Sequence, residues 1–183
     1  RKVDKEGYAL SFNEVNINRM TEEIIDRFRA ISLTGISFSV SLPKEHLQYN
    51  VDQEALTKIV SNLLTNAMKY ARSRIMVILD EHLSAEGRTL SICVRDDGPG
   101  IPQDECSKVF EPFYQVGNAG NNGSGVGIGL SLVKLLVEKH NGKVFINPNY
   151  AEGCEVCVEI PYLEKSIPAT HAVTSMPDEG PAP

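Results

Sequence analysis

The sequence has no long hydrophobic run; its apolar stretches fall well short of the roughly 18 residues that a membrane-spanning helix needs. It has no basic surplus either. Eighteen Lys and Arg stand against 24 Asp and Glu, a formal net charge of -6. That balance speaks against a constitutive nucleic-acid or anionic-membrane binder. It leaves room for a nucleotide held by a local patch. Cysteine is sparse, with four among 183 residues. Cys154 and Cys157 form a C-x-x-C, but no second pair stands at zinc-ribbon spacing. The run from Cys154 to Ile160 reads as a strand, on which positions of opposite parity face opposite ways and bridge poorly. The expectation is therefore four plain thiols in a reducing compartment, on a cytoplasmic domain.

What is present suits one folded domain. Hydrophobic residues make up 42% of the chain, enough for a single core. Residues 1–9 are charged and without period, which predicts a linker from an upstream domain. From Lys165 onward the chain is rich in Pro, Ala, Ser and Thr, so 164–183 is expected to be a disordered tail or interdomain linker. The domain itself should span residues 10–163.

Between these ends, periodicity marks the elements. Met20, Ile24, Ile25, Phe28 and Ile31 recur at helical spacing and predict a helix over 18–33, stopped by Gly35. Ile36 to Leu42 alternates strictly, a strand with one buried face. Asp52 is placed to cap a second helix, along which Leu56, Ile59, Val60, Leu63, Leu64, Ala67 and Met68 form the apolar side. Strands are expected over 74–83 and 88–95, the latter with Leu90, Ile92 and Val94 on one face. A third helix runs from Gly127 to His140, apolar nearly all round and hence well buried, and ends at Asn141-Gly142. Two last strands lie near 143–147 and 153–161. Helices and strands mix without a regular β-α-β rhythm. The fold class is thus an α/β (α+β) two-layer sandwich, with a mixed, mostly antiparallel sheet covered on one face by helices.

Four segments carry chemistry. On the second helix Asn62, Asn66 and Lys69 are spaced four and three apart and share one stripe, with Tyr70 beside it. An asparagine carbonyl is a hard ligand for Mg²⁺, and a lysine is a point charge for phosphate. Alone, the stripe also fits a polar edge facing water. Next, Asp96-Asp97-Gly98-Pro99-Gly100-Ile101 closes a strand. Its carboxylate can accept from an exocyclic amine such as adenine N6, while the glycines let a flat ring approach. A plain turn reads equally well. Third, Gly123, Gly125, Gly127 and Gly129 alternate with Ser124, Val126 and Ile128 before Leu130. Glycines here are costly unless backbone amides and a helix N-terminus hold an anion. No Gly-Lys-Ser/Thr follows, which excludes a Walker loop, and no strand immediately precedes, which argues against a dinucleotide fingerprint. Fourth, Val109-Phe110-Glu111-Pro112-Phe113-Tyr114 is a hydrophobic anchor. It precedes a glycine- and asparagine-rich loop over 114–125, read as a mobile lid.

The order of these four segments resembles the catalytic ATP-binding domain of sensor histidine kinases. Ile59 to Tyr70 looks like the N box, Asp96 to Gly100 the first glycine box, Val109 to Phe113 the F box, and Gly125 to Leu130 the second glycine box. The resemblance covers roughly residues 10–162. It implies the Bergerat sandwich, three helices over a mixed sheet with a flexible ATP lid, and ATP with Mg²⁺ as ligands. By matching position, Asn66 would coordinate Mg²⁺, Asn62 would support that site and Lys69 would contact phosphate. Tyr70 would pack on adenine and Asp96 would bond its N6. Gly98, Gly100 and Ile101 would shape the base pocket. Gly123, Gly125, Val126, Gly127, Ile128, Gly129 and Leu130 would form the lid end and helix terminus around the triphosphate. Phe110 and Phe113 would hold the base of the lid.

Hydrolytic relatives, the gyrase, mismatch-repair and heat-shock chaperone ATPases, carry a Glu where this chain has Asn62. An amide is no general base for water, so transfer to another nucleophile is implied. None of His46, His82, His140 and His171 sits in the His-Glu context of an acceptor helix. The implied partner is therefore a dimerisation and phosphoacceptor domain of the same parent, with a response-regulator receiver domain downstream in the relay. The parent would be a homodimer, anchored in the inner membrane or of the hybrid kind, and this fragment a monomer. The loop over 114–125 has no Lys or Arg where many such kinases have one. That departure keeps a non-catalytic nucleotide-binding module in view. A serine-protein kinase and an ATPase of the same fold also remain open.

Overall fold

The computed structural model describes residues 9–32, 35–85, 87–116 and 126–163. Strand β1 (Phe12–Asn16) leads into helix α1 (Ile17–Ile31). The Asn16 side chain caps α1 by accepting from the Arg19 amide at 3.0 Å. Met20, Ile24 and Ile25 are buried as their spacing requires, but Ile31 is 66% exposed, because the last turn runs past the edge of the core. The helix ends two residues earlier than the periodicity suggests. Strand β2 (Ser37–Ser41) shows the expected alternation, with Phe38 and Val40 turned inward. Strand β3 (Gln48–Asp52) then pairs antiparallel with β1 in a small separate sheet. Neither of these two paired strands is legible from the sequence. Each is five residues long and mostly polar, and only Val15, Tyr49 and Val51 point inward.

Helix α2 (Gln53–Tyr70) begins at Asp52, whose carboxylate accepts from the Ala55 amide at 2.8 Å and from the Ser11 amide at 2.6 Å. Leu56, Ile59, Val60, Leu63 and Leu64 are all essentially inaccessible, so α2 is the central helix of the layer. Strands β4 (Arg74–Ser84) and β5 (Gly87–Asp96) form a long hairpin. A 3-10 turn at Lys108–Phe110 precedes helix α3 (Gly129–Lys139), and β6 (Lys143–Ile146) and β7 (Cys154–Pro161) close the fold. The large sheet has the order β2-β4-β5-β7-β6, with β2 parallel to β4 and every other pair antiparallel. This is the mixed, mostly antiparallel sheet under three helices that the sequence implies.

Helix α3 departs from expectation in two ways. It starts at Gly129 rather than Gly127, because Gly127 takes a positive φ of 72° that no helix continues through. It is also less buried than an all-round apolar helix should be. Val133, Leu136 and Val137 face the core, while Leu135 is exposed. Its C-terminus does end at Asn141-Gly142. Asn141 adopts a φ of 58°, and the Gly142 amide donates back to the Val137 carbonyl at 2.9 Å.

His140, at that C-terminus, fastens α3 to the start of α2. It is fully buried. Its Nε2 accepts from the Asp52 amide at 3.1 Å, and its Nδ1 lies 2.7 Å from the Leu136 carbonyl, to which it must donate. The ring is therefore neutral, and burial holds its pKa below the ordinary imidazole value. A depressed histidine contributes stability that is complete above the unfolded value of about 6.5. That stability is lost as the pH falls through the lower folded value. Urea titrations should show the wild type losing stability between pH 7 and pH 5 more steeply than His140→Phe. The variant should start about 1–3 kcal/mol lower at pH 7, because it leaves the Asp52 amide unpaired.

Candidate functional site

The candidate site gathers around the C-terminal end of β5. Asp96, the last residue of that strand, is only 6% exposed. Its Oδ1 accepts from the Gly98 amide at 2.8 Å, and the Cys154 amide of the neighbouring strand also donates to its carboxylate. Burial pushes this carboxyl above the usual range, and the adjacent Asp97 adds to the effect. The two aspartates differ sharply. Asp97 turns outward and accepts from the amides of Arg72, Ser73 and Arg74 and from the Ser73 hydroxyl at 2.6 Å. These donors hold it below the usual carboxylate range. Asp97 thus ties the end of α2 to the start of β4, while Asp96 is turned inward against the Gly98 amide.

Backbone packs closely around Asp96. A Cβ at Gly98 would lie 2.6 Å from Asp96 Oδ1 and 2.6 Å from the Tyr70 carbonyl. One at Gly153 would lie 2.0 Å from the Asp96 carbonyl oxygen. Gly98 is legible from the sequence as a site residue; Gly153 and the Cys154 amide are not. Their role depends on the register of β7 against β5, in which Asp96 sits opposite Cys154. The Gly-Cys step before a strand is the only local signal. Gly100 rests against the Gly153 carbonyl, and Ile101 is half-buried against the core.

Helix α2 ends beside this turn, where the Tyr70 carbonyl meets Gly98. Asn62 and Asn66 are half-buried, and Lys69 and Tyr70 are exposed at the end of the helix. The Asn62 amide nitrogen donates to the Lys58 carbonyl at 2.7 Å, which turns its oxygen towards the first residue of α3; a Cβ at Gly129 would lie 3.2 Å from it. The side chain of Asn66 forms no hydrogen bond with the other described residues. The Lys69 ammonium lies 5.0 Å from the centre of the Tyr70 ring. The sequence stripe is thus a real edge of the helix, and α3 abuts one end of it.

The F-box segment anchors as expected at Phe110, which is buried, but Phe113 is 70% exposed and holds a φ of 65°. Its amide donates to the Gly127 carbonyl at 2.9 Å, and a Cβ at Gly127 would lie 2.9 Å from the Phe113 backbone. The two ends of the loop are therefore clipped together by backbone contact and not by the Phe113 ring. Tyr114 donates its hydroxyl to Glu105 at 3.0 Å and fixes the near end further. Val126 and Ile128 are exposed and Leu130 is half-buried. Gly123 and Gly125 lie outside the described residues.

The cysteine expectation needs correction. Cys154 and Cys157 are indeed unpaired with each other, since Cys154 faces the helices. Cys157, however, forms a disulfide with Cys93. Parity within one strand excludes the neighbour on that strand; it says nothing about the partner directly across on β5. Among the histidines, His46 and His82 are exposed and His140 is structural.

A buried carboxylate at a strand end, closely packed glycines and a polar helix edge stand together on the two-layer sandwich. The chain belongs to the histidine kinase-, DNA gyrase B- and HSP90-like ATPase family, whose model matches residues 51–164. It is 31% identical over 165 residues to the sensor histidine kinase WalK of Bacillus subtilis (strain 168), covering 90% of this chain and 27% of that protein. It is 30% identical over 161 residues to WalK of Staphylococcus haemolyticus (strain JCSC1435), covering 87% and 26%. The chain thus spans about a quarter of the length of these relatives. Among solved structures, a mycobacterial sensor histidine kinase, MprB, superposes with a TM-score of 0.69 at 26% identity, covering 83% of this chain and 98% of that one. The catalytic domain of histidine kinase ThkA superposes with a TM-score of 0.66 at 25% identity, covering 84% and 97%. No helix among the described residues is long and apolar enough to cross a membrane.

Proposed function

We propose that this domain binds Mg·ATP and donates its γ-phosphate to a histidine on a dimerisation helix of the same parent protein. The observation that carries the reading is buried Asp96 at the end of β5, with Gly98 packed between its carboxylate and the Tyr70 carbonyl at the end of α2. Asp96 offers a buried anionic acceptor, which selects an exocyclic amine such as adenine N6. Tyr70 packs beside the base, and Gly98, Gly100 and Ile101 line its approach. The Asn66 side chain forms no hydrogen bond with the other described residues, and Asn62, one turn earlier, presents a second oxygen. This neutral oxygen donor set fits Mg²⁺, which keeps several waters and takes few protein ligands. When bound, the ion would neutralise charge on the phosphates. Lys69 adds a positive charge, and the amides at the start of α3 face the same anion. Gly127, Val126, Ile128, Gly129 and Leu130 frame that terminus. Gly123 and Gly125 would complete the lid that Phe110 and Phe113 anchor.

Transfer is favoured over hydrolysis because α2 offers no general base at the cleft. Its only carboxylate, Glu54, lies in the first turn and is paired with Lys58 at 2.7 Å. The acceptor lies outside this chain. We further infer that the parent is a homodimer, anchored in the membrane through other segments, and that it feeds a response-regulator receiver domain.

The test is a transfer assay with the full-length parent and γ-labelled ATP. The expected product is acid-labile and base-stable, as phosphohistidine is. An acid-stable product would make this a serine kinase. Steady phosphate release without acceptor would make it an ATPase, and nucleotide binding with no transfer would make it a regulatory module.

A further inference from the structure

The sheet face turned away from the helices carries a second cluster that the nucleotide site does not use. Cys93 on β5 and Cys157 on β7 are direct partners in the antiparallel register and are joined as a disulfide, with Cα atoms 4.1 Å apart. So short a separation belongs to a non-hydrogen-bonded pair, where side chains approach most closely. Both positions alternate with Ile92, Val94, Val156 and Val158, which are buried under the helices. Cys157 is 4% exposed, whereas Cys93 is half-buried, so Cys93 is the sulfur that solvent reaches. The next pair along the strands on this face is an ion pair between Arg95 and Glu155. The Ser91 hydroxyl lies 3.7 Å from Cys93 Sγ on the other side. The free cysteines, Cys106 and Cys154, lie away from this face: Cys154 points to the helices and Cys106 sits against the Ile101 and Pro102 carbonyls.

This pair is linked along both strands to the base pocket proposed above, on which the inference rests. Three residues along β5 from Cys93 is Asp96, and three residues back along β7 from Cys157 is Cys154, whose amide holds the Asp96 carboxylate. Gly153 packs directly on the Asp96 carbonyl. A covalent link between the two strands therefore adds to the ladder that holds the register beside Asp96, and its opening removes that added constraint.

We propose that Cys93 and Cys157 form a reversible thiol–disulfide exchange site whose closure tightens the base pocket around Asp96. In the closing direction the Cys93 thiolate attacks a low-molecular-weight disulfide and releases one thiol. The Cys157 thiolate then attacks the Cys93 sulfur of that mixed disulfide and releases the second. Two protein thiols are oxidised, one external disulfide is reduced to two thiols, and the two protein protons leave with them. Reduction runs the same steps backwards, entering at Cys93 with Cys157 as leaving group.

The experiment equilibrates the protein in glutathione buffers from fully reducing to fully oxidising, traps free thiols with N-ethylmaleimide, and maps the products by mass. ADP affinity is titrated at both ends of the series. The expected result is one reversible transition with Cys93–Cys157 as its only protein linkage. ADP should bind about fivefold more tightly in the oxidised protein, a coupling of ordinary size. Cys157→Ser should leave Cys93 carrying glutathione, whereas Cys93→Ser should leave Cys157 unmodified. Both variants should bind ADP like the reduced wild type in either buffer. Alkylation of both thiols in every buffer, linkage to Cys106 or Cys154, or equal ADP affinity in the two states would each overturn the proposal. The linkage is read without nucleotide, so a chain that binds no ADP at all would show itself separately in the reduced reference titration.

Discussion

Replacing Asn66 with aspartate should lower phosphoryl transfer by the full-length parent about 100- to 1,000-fold while leaving the fold intact. The two side chains have nearly the same shape, and the aspartate keeps an oxygen where the amide oxygen was. What changes is charge. Asn66 sits half-buried on the polar edge of α2, with no side-chain hydrogen bond to the other described residues. A carboxylate there would hold Mg²⁺ in place of the neutral oxygen, reducing the charge the ion lends to the phosphates, and would repel any phosphate oxygen the ion leaves uncovered. Two like charges about 4–5 Å apart at an effective dielectric near 20 repel by about 3–4 kcal/mol. A barrier change of about 1.4 kcal/mol alters a rate tenfold, which gives the stated range. The helix itself should hardly notice, because Asn and Asp have similar helix propensity and the position is not in the core. Unfolding stability should stay within about 0.5 kcal/mol of wild type. Transfer at the wild-type rate by this variant would remove Asn66 from the site.

Asp96→Asn should weaken adenine-nucleotide binding about 10- to 100-fold, the loss of a hydrogen bond to a charged acceptor. The carboxylate has two oxygens to share between the Gly98 amide, the Cys154 amide and a base amine. An amide has one oxygen, already claimed by backbone, and its NH₂ would meet the base amine donor to donor. Stability should change little. Ionised Asp96 is disfavoured by burial, so above its raised folded value it costs the fold stability. The amide relieves that cost but gives up a backbone bond, and the two offset to within about 1 kcal/mol. Nucleotide affinity of the wild type should fall as the pH drops through the raised carboxyl value, where Asp96 takes up a proton. Calorimetric ADP titrations carried from neutral pH down to the ordinary carboxyl value of about 4 should show that fall in wild type and a flatter profile in Asp96→Asn, with the nucleotide's own titration common to both.

Much of this architecture is legible in the sequence because its long elements repeat their pattern many times. Helix α2 shows its apolar face over five turns and its cap at Asp52, and β5 alternates cleanly through Leu90, Ile92 and Val94. Short polar strands are not legible: β1 and β3 carry too few inward residues for a period to show, and their pairing is a tertiary event. The site residues that the sequence reveals, Asn62, Asn66, Lys69 and Asp96, lie in contiguous motifs. Those that it hides, Gly153 and the Cys154 amide, belong to the site only because β7 lies beside β5. The same long-range register produces the Cys93–Cys157 bond that parity along a single strand cannot reveal. Phe113 makes the complementary point. Its type suggests a buried anchor, whereas its backbone clips the loop through the Gly127 carbonyl and its ring stays in solvent.

Titration of this domain with ATP, by calorimetry in the presence and absence of Mg²⁺, tests most directly whether the cleft between Asp96 and α2 holds the nucleotide. The expected result is a single saturable site in the wild type that Mg²⁺ strengthens. Asn66→Ala should lose that strengthening and Asp96→Asn should lose most binding under both conditions. Absence of binding by the wild type, or an undiminished response to Mg²⁺ in Asn66→Ala together with wild-type affinity in Asp96→Asn, would contradict it.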